Sequence, residues 1–366
     1  MAVPSLRKLP EIQAQLRRRI FTAEWKVGDK LPSDVELAKS LGCSIGTLSK
    51  ALGFMAHDGL VARRTKSGTR VLRISARNGA SELNLDAFAF IYPSERHEGI
   101  SGMLHGFERA ARKEGRRLIT IPTGIDSGKE AEIIARLDEF DVRGLVACPA
   151  ISTPCDQLSI SQLLLRSKIP VVLIGLNLPG FSTAAVLLDN FLAGYEMTRH
   201  LLSKGCKRIG FLSNYSWMQF MRDRFSGYRR AMEEAGIEIP SDWIHRTTAM
   251  HVNLSNPILE STKIAEDYLA RKPSVEGVVC ADDFMAVGLI EAATVRGLNI
   301  PNDLRITGID DFSIAKSSHP LLTTYRVPYK TMGERAFELI DSLVSEGEER
   351  DTELFVRGEI IIRESA

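Results

Sequence analysis

The chain has 366 residues, of which 44% are hydrophobic and 25% charged, with a formal net charge of +1. That length exceeds one small module and points to two or three domains, and the composition excludes a disordered or fibrous chain. No apolar run approaches the ~18 residues a membrane span requires, and the N-terminal stretch lacks the apolar centre of a secretory signal. The five cysteines (Cys43, Cys148, Cys155, Cys206, Cys280) are scattered and form no CxxC, so neither a disulfide framework nor a zinc knuckle is indicated. A cytoplasmic protein without membrane contact is expected.

The near-neutral balance hides a segregation. Residues 1–78 hold 15 Lys/Arg against 6 Asp/Glu, and the remainder holds 32 against 40. A basic front on an acidic body suits a front that meets a polyanion, while a merely solvated basic face fits the charge count equally well. An acidic body would also repel DNA and confine contact to the front.

In chain order, Ile12, Leu16 and Ile20 recur at helical spacing. After the Gly28-Asp29 turn, Ser33 and Glu36 form a capping box for a short helix whose buried positions are Leu37, Ala38 and Leu41. Gly42 ends it. Ser44 then caps a third helix, with Ile45, Leu48, Leu52 and Met55 on one face. Gly46, Thr47, Ser49, Lys50 and Gly53, small or cationic, lie on the other, a composition that lets a helix press into a DNA groove. Residues 58–71 read as two short alternating strands around a Lys-Ser-Gly turn. In this hairpin Arg63, Arg64, Lys66 and Arg70 are placed for phosphate, and Gly68 lets backbone approach the duplex.

The stretches LPSDVELAKSLGCSIGTLSKAL and GLVARRTKSGTRV resemble the GntR-type winged helix-turn-helix module, over about residues 10–73. The resemblance implies DNA contacts from Ser44, Thr47, Lys50, Lys66, Gly68 and Thr69. Ser49, Arg63 and Arg64 join them from the outer helix face and the hairpin, and Ser33 stays a structural cap. Val35, Ile45 and Ser49 stand where the family usually has Arg, which implies fewer bidentate contacts to guanine, each worth roughly 1–3 kcal/mol of discrimination.

The expected layout is therefore a small α+β winged helix-turn-helix domain at 1–76, a flexible linker at 77–84 and a large α/β body at 85–366. Strand candidates in the body are Ala87–Tyr92, Leu118–Ile121, Gly144–Cys148, Val171–Gly175, Ile209–Leu212, Val275–Cys280 and Ile306–Ile309. Amphipathic stretches such as Gly102–Glu114, Glu130–Phe140, Phe191–Ser203 and Asp223–Ala235 lie between them. This alternation predicts parallel sheets with helices on both faces. About 280 residues suit two lobes, and a cleft between lobes gathers the carboxyl ends of strands, where ligands collect in open α/β sheets.

The body is similar, over about residues 86–363, to the periplasmic-binding-protein-like sensing domain of LacI-type repressors. The segments that carry the likeness run from GFERAA at 106–111 and VLLDNFLAG at 186–194 through KGCKRIGFLSN, RDRFSGYRRAMEEAGI and ADDFMAVGLIEAATVRGLNIPNDLRITGIDDF to HPLLTTYRVPYKTMGERAFELI. Joined to the head, this is the arrangement of arabinose-responsive bacterial repressors. It implies operator DNA, a sugar or sugar derivative as effector, and a homodimer.

Sugar hydroxyls both donate and accept, so a planar Arg fork and carboxylate oxygens grip them in pairs. The resemblance places ligand contacts at Arg224, Asp282 and Asp310. Tyr92 and Ser94 end the first strand and are candidates for the cleft wall. Trp217, Phe220 and His251 are candidates for an apolar wall, or plain core. Asp283 and Asp311 read as caps, and Arg222 as a partner of Asp223. Gly175 stands where some members carry a ligand Asp.

An enzyme reading finds little support. There is no GxxxxGK[ST], no HExxH and no GxGxxG after a strand, and the seven histidines show no metal-ligand spacing. No cofactor or metal is expected. The alternatives are a solute-binding protein or an α/β enzyme carrying a basic head.

Overall fold

A computed structural model describes residues 28–57, 60–64, 68–71, 87–94, 96–124, 142–165, 169–178, 183–248, 258–346 and 352–366, with Ile12, Gln15, Leu16, Arg19, Trp25, Glu130, Ile134, Ser167 and Asn256 besides. The chain divides into two compact units, 1–83 and 84–366.

The first unit is a winged helix-turn-helix. Helix α1 (Asp34–Ser40) begins at a capping box: Glu36 N donates to Ser33 Oγ at 3.3 Å, and Ser33 N donates back to Glu36 Oε2 at 3.0 Å. Helix α2 (Ile45–His57) is capped by Ser44, whose Oγ accepts from Thr47 N at 3.1 Å. Strands β1 (Val61–Arg64) and β2 (Gly68–Val71) pair antiparallel, with Arg64 opposite Gly68. The hairpin turn at 65–67, and Lys66 with it, lies outside the described residues. Ile12, Leu16, Leu37, Ala38, Leu41, Leu48, Leu52 and Met55 share one core with Val61 and Val71. Ile45 departs from the helical pattern. It is 51% exposed, because as the first residue of α2 it lies beyond the point where the helix meets the core. Ile20 falls outside the described residues.

The second unit is a two-lobed α/β body built on two six-stranded sheets. One sheet, the N-lobe, has strand order β13-β7-β6-β5-β3-β4 and comprises β3 (Ala87–Tyr92), β4 (Arg117–Pro122), β5 (Val142–Ala147), β6 (Val171–Ile174), β7 (Ala184–Leu188) and β13 (Glu353–Val356). The other, the C-lobe, has order β14-β12-β11-β10-β8-β9. It comprises β8 (Ile209–Ser213), β9 (Ile244–Arg246), β10 (Gly277–Cys280), β11 (Arg305–Asp310), β12 (Thr323–Arg326) and β14 (Glu359–Ile361). Every pairing is parallel except β12 with β14. Strands β3, β8 and β10 are buried along their whole length, as strands covered on both faces must be. All seven sequence-expected strands form, with ends shifted by a residue or two. Short or edge strands such as β9, β13 and β14 escape the sequence pattern because they carry too few buried residues to stand out.

The helices are α3 (Glu98–Lys113), α4 (Pro154–Leu165), α5 (Asn190–Ser203), α6 (Gln219–Glu234), α7 (Ile258–Ala270), α8 (Asp283–Val295) and α9 (Tyr329–Glu346). The expected helix at 130–140 falls mostly outside the described residues. The chain crosses between lobes three times: from β7 into α5, which packs on the C-lobe sheet, from β12 into α9, which packs on the N-lobe sheet, and from β13 into β14.

Among the described residues three helix pairs touch backbone to backbone, including α7 and α8, where a Cβ on Gly288 would overlap the Ser261–Thr262 backbone. In the N-lobe, α3 meets α9, and a Cβ on Gly106 or Gly333 would overlap the carbonyl of Lys330 or Met103. In the C-lobe, α5 meets α6 the same way, with Gly194 against the Arg224 carbonyl and Gly227 against that of Phe191. Only glycine allows so close an approach. Gly227→Ala is therefore expected to force α5 and α6 apart and to lower stability by about 1–3 kcal/mol, read as a lower urea midpoint of full-length protein.

Candidate functional site

The carboxyl ends of both sheets surround a cavity of ≈ 350 Å³ within the body. The N-lobe contributes Pro93 and Ser94 after β3, Cys148–Ser152 after β5, and Gly175 and Leu176 after β6. The C-lobe contributes Asn214 and Tyr215 after β8, Asp282 after β10 and Asp310 at the end of β11. Asn190 enters where the chain crosses from β7. Parallel strands put every carboxyl end on the same side, which is why residues far apart in sequence converge here.

Arg224 on α6 is the centre of the polar wall. It is 6% exposed and spends its donors on three elements. Nε donates to Asn190 Oδ1 at 2.9 Å, one terminal nitrogen to the Ala281 carbonyl, and the other reaches Asp310 Oδ1 at 3.4 Å. Its guanidinium also lies 5.6 Å from the Phe220 ring centroid. Asp310 Oδ1 accepts a second bond from the Tyr329 hydroxyl at 2.8 Å. Asp310 and Asp311 sit at φ 133° and 59°, where non-glycine residues are rare and held by their surroundings.

The carboxylates differ by environment. Burial pushes Asp310 up to about 7, with Arg224 opposing it. Asp282 is raised by burial too, although its Oδ1 accepts from Met285 N at 2.7 Å and so caps α8. Asp283 is fully buried and well above the usual range. It accepts from Thr324 Oγ1 at 2.5 Å and from Phe312 N at 2.8 Å, tying β12 and the turn after β11 together. Asp311 faces burial as well, but Arg363 and Arg326, at 2.5 and 2.8 Å, hold it below the usual range. Neither Asp283 nor Asp311 is the helix cap expected from sequence. Both serve tertiary contacts, which adjacency in the chain cannot reveal.

Of the remaining candidates, Ser94 and Phe220 line the cavity. Tyr92 is buried against Phe90 in the strand rather than at the cavity wall, and Trp217 packs half-buried on the core. His251 lies outside the described residues. Arg222 donates to Gln219 Oε1 at 2.7 Å rather than to Asp223, which takes its own bond from Gln219. The structure adds Asn190, Asn214 and Tyr329. Asn214 is buried with no donor to its Oδ1 among the described residues. Its place just past an apolar strand was the available signal. On the cavity's outer side, Glu98 on α3 accepts from Ser313 N at 2.9 Å and from Ser313 Oγ at 2.5 Å, linking the lobes away from the crossings.

On the head, Ser44, Gly46 and Lys50 are exposed, and Thr47 and Ser49 half-exposed, so they share one outer face of α2. Gly68 is exposed at φ 81°. Arg63 and Arg64 stand in β1. Thr69 differs from its expected place, since its side chain is 6% exposed and turned into the head. Gly42-Cys43-Ser44-Ile45-Gly46 has the spacing of a hydrolase nucleophile elbow. Ser44, however, follows a helix rather than a strand and its Oγ is engaged as a cap.

Residues 10–71 match the bacterial regulatory proteins of the gntR family, and residues 198–366 match the periplasmic binding protein-like domain. The arabinose metabolism transcriptional repressor of Geobacillus stearothermophilus is 25% identical, over 100% of this chain and 99% of its own. The HTH-type transcriptional repressor PurR of Vibrio parahaemolyticus is 30% identical, over 72% of this chain and 76% of its own. Among solved structures, the transcription regulator CcpA of Lactococcus lactis superposes with a TM-score of 0.67 at 23% identity, covering 76% of this chain and 98% of that one. The transcriptional regulator CelR in complex with cellobiose also gives 0.67, at 20% identity, covering 92% and 100%. The chain belongs to the LacI-type transcriptional regulators, with a GntR-type DNA-binding head in front of a periplasmic-binding-protein-like body.

Proposed function

We propose that the protein is a cytoplasmic, homodimeric repressor whose heads hold operator DNA until a sugar-like effector enters the body. The carrying observation is the buried Arg224 fork paired with Asp310, with Asp282 on the same wall of the cavity between the lobes. A full-length match to an arabinose repressor and a neighbour solved with cellobiose support a sugar-like effector.

Arg224, Asp310 and Asp282 would bind ring hydroxyls, with Phe220 and Ser94 on the surrounding wall. Binding draws the strand ends of the two lobes together about the three crossings, and a dimer converts that closure into a new spacing of its two heads. Coupling of about 1–3 kcal/mol would change operator affinity roughly 5–150-fold. On the DNA side, Ser44, Thr47, Ser49 and Lys50 present α2 to a major groove, and Arg63, Arg64, Lys66 and Gly68 bring the wing to phosphate. Thr69 supports the wing from within.

The functional test is a duplex selected from a random pool by the full-length protein, followed by a gel shift with and without each sugar of a monosaccharide panel. Release of that duplex by one sugar is expected, and retention in the presence of every sugar that raises the melting temperature would refute the repressor reading. Lys50→Ala is expected to weaken binding to the selected duplex and to reduce the slope of log affinity against log salt by about 1, while sugar-induced thermal shifts stay unchanged.

Asp310 imposes a pH dependence. Its ionised form is the better acceptor for a hydroxyl, so effector affinity measured by calorimetry is expected to rise as pH passes upward through about 7. Its contribution to stability has the opposite sign. The raised value favours the native state below the ordinary carboxylate range, and that advantage is lost as pH rises through about 7. Asp310→Asn is expected to flatten both trends and to lower effector affinity about tenfold or more, while binding of the selected duplex persists.

A further inference from the structure

We infer that the effector is a polyhydroxylated ring bearing an apolar substituent, a glycoside with an aryl or alkyl aglycone in chemical class, rather than a free hydrophilic sugar. This inference rests on the effector reading above and concerns the same cavity.

Both walls of the cavity carry apolar side chains, Met218, Phe220, Met221, Phe284 and Phe312 on the C-lobe among them, but they differ in their buried polar groups. Its buried polar groups belong to the C-lobe: Asn214, Arg224, Asp282 and Asp310 are each 5–8% exposed. Asn214 Oδ1 and the carboxylates are acceptors, so this wall asks a ligand for hydroxyl donors on one side. The N-lobe wall offers Ile100, Met103, Ile151, Ile174 and Leu176, and its polar residues Ser94, Arg96, His97 and Ser152 are half-buried or exposed. The β6 end shows the contrast most directly. Gly175 carries no side chain, and Leu176 follows it where the C-lobe strands carry Asn and Asp. Two of the N-lobe's polar groups are engaged by local backbone, Ser94 Oγ accepting from Arg96 N at 3.2 Å and His97 Nδ1 from Ile100 N at 3.4 Å. Burial pushes the Cys148 thiol up to about 12, so it stays neutral.

A sugar with hydroxyls around its whole rim would press some of them against this apolar wall, where water is lost and nothing replaces it. A ring whose hydroxyls face the C-lobe while an apolar group fills the N-lobe side satisfies both walls at once. An O-aryl glycoside and a nucleoside share that chemistry.

The test is calorimetry and thermal shift on full-length protein with matched pairs: D-glucose with phenyl β-D-glucopyranoside, D-galactose with phenyl β-D-galactopyranoside, L-arabinose with p-nitrophenyl α-L-arabinopyranoside, and D-ribose with uridine and adenosine. In at least one pair the aglycone-bearing member is expected to bind about tenfold tighter or more. The pair that responds separates an O-glycoside from a nucleoside. Leu176→Asn, at a half-buried position, is expected to erase most of that advantage while the melting temperature without ligand shows that the variant folds. Free sugars binding as tightly as their partners overturn the inference and leave the effector reading standing. So does an aglycone advantage that survives Leu176→Asn. No shift with any member of any pair overturns the effector reading as well.

Discussion

A guanidinium removed from water must be met by partners on every side or the lobe cannot hold it. Arg224 meets that demand with Asn190 at the start of α5, the Ala281 carbonyl after β10 and Asp310 at the end of β11. Each partner comes from a different element, so one side chain sets where those elements lie relative to one another. The glycine contact of α5 with α6 completes the arrangement, because it brings the Arg224 backbone close enough for the fork to reach. The same group that would grip a ligand is thus a structural keystone of the C-lobe.

That double role joins the pocket to the crossings between lobes. Asn190 is the first residue of α5 after β7 leaves the N-lobe sheet, and Tyr329 is the first residue of α9 after β12 leaves the C-lobe sheet. Both bond directly to the Arg224–Asp310 pair. A ligand that perturbs the pair therefore acts on two of the three crossings without any longer chain of contacts. The lobes themselves are stiff, with apolar parallel strands and helices in backbone contact. The lobes are joined by the short crossings and by the Glu98–Ser313 link across the cleft, an arrangement that suits hinge closure.

The chemistry of the two walls bears on specificity in the same terms. Asn214 Oδ1, a buried acceptor with no donor among the described residues, would become an asset when a hydroxyl arrives. The N-lobe wall would discriminate through its apolar side chains, since its polar groups are not buried ones.

Much of this protein is determined locally, and its sequence shows those parts by itself. The Ser33–Glu36 box and the Ser44 cap depend on residues three apart. The wing hairpin depends on a turn, and the central strands on short apolar runs. The two-module layout and the acid–base segregation are compositional. That Arg224, Asp282 and Asp310 stand together on one cavity wall was expected from the motifs that carry them. Tertiary structure alone decided the rest. Ile45 sits on the apolar stripe of α2 yet faces out, since the core begins one turn later at Leu48. Asp283 and Asp311 look alike beside Asp282 and Asp310, yet one is buried with Thr324 and the other bound by Arg363 and Arg326. Tyr92 and Trp217 lie near the cleft in sequence and away from its surface in space. Asn190, Asn214 and Tyr329 join Arg224 from elements up to about a hundred residues away. Whether a polar side chain meets water, a partner or a cavity depends on what distant strands bring to it, and no local spacing encodes that.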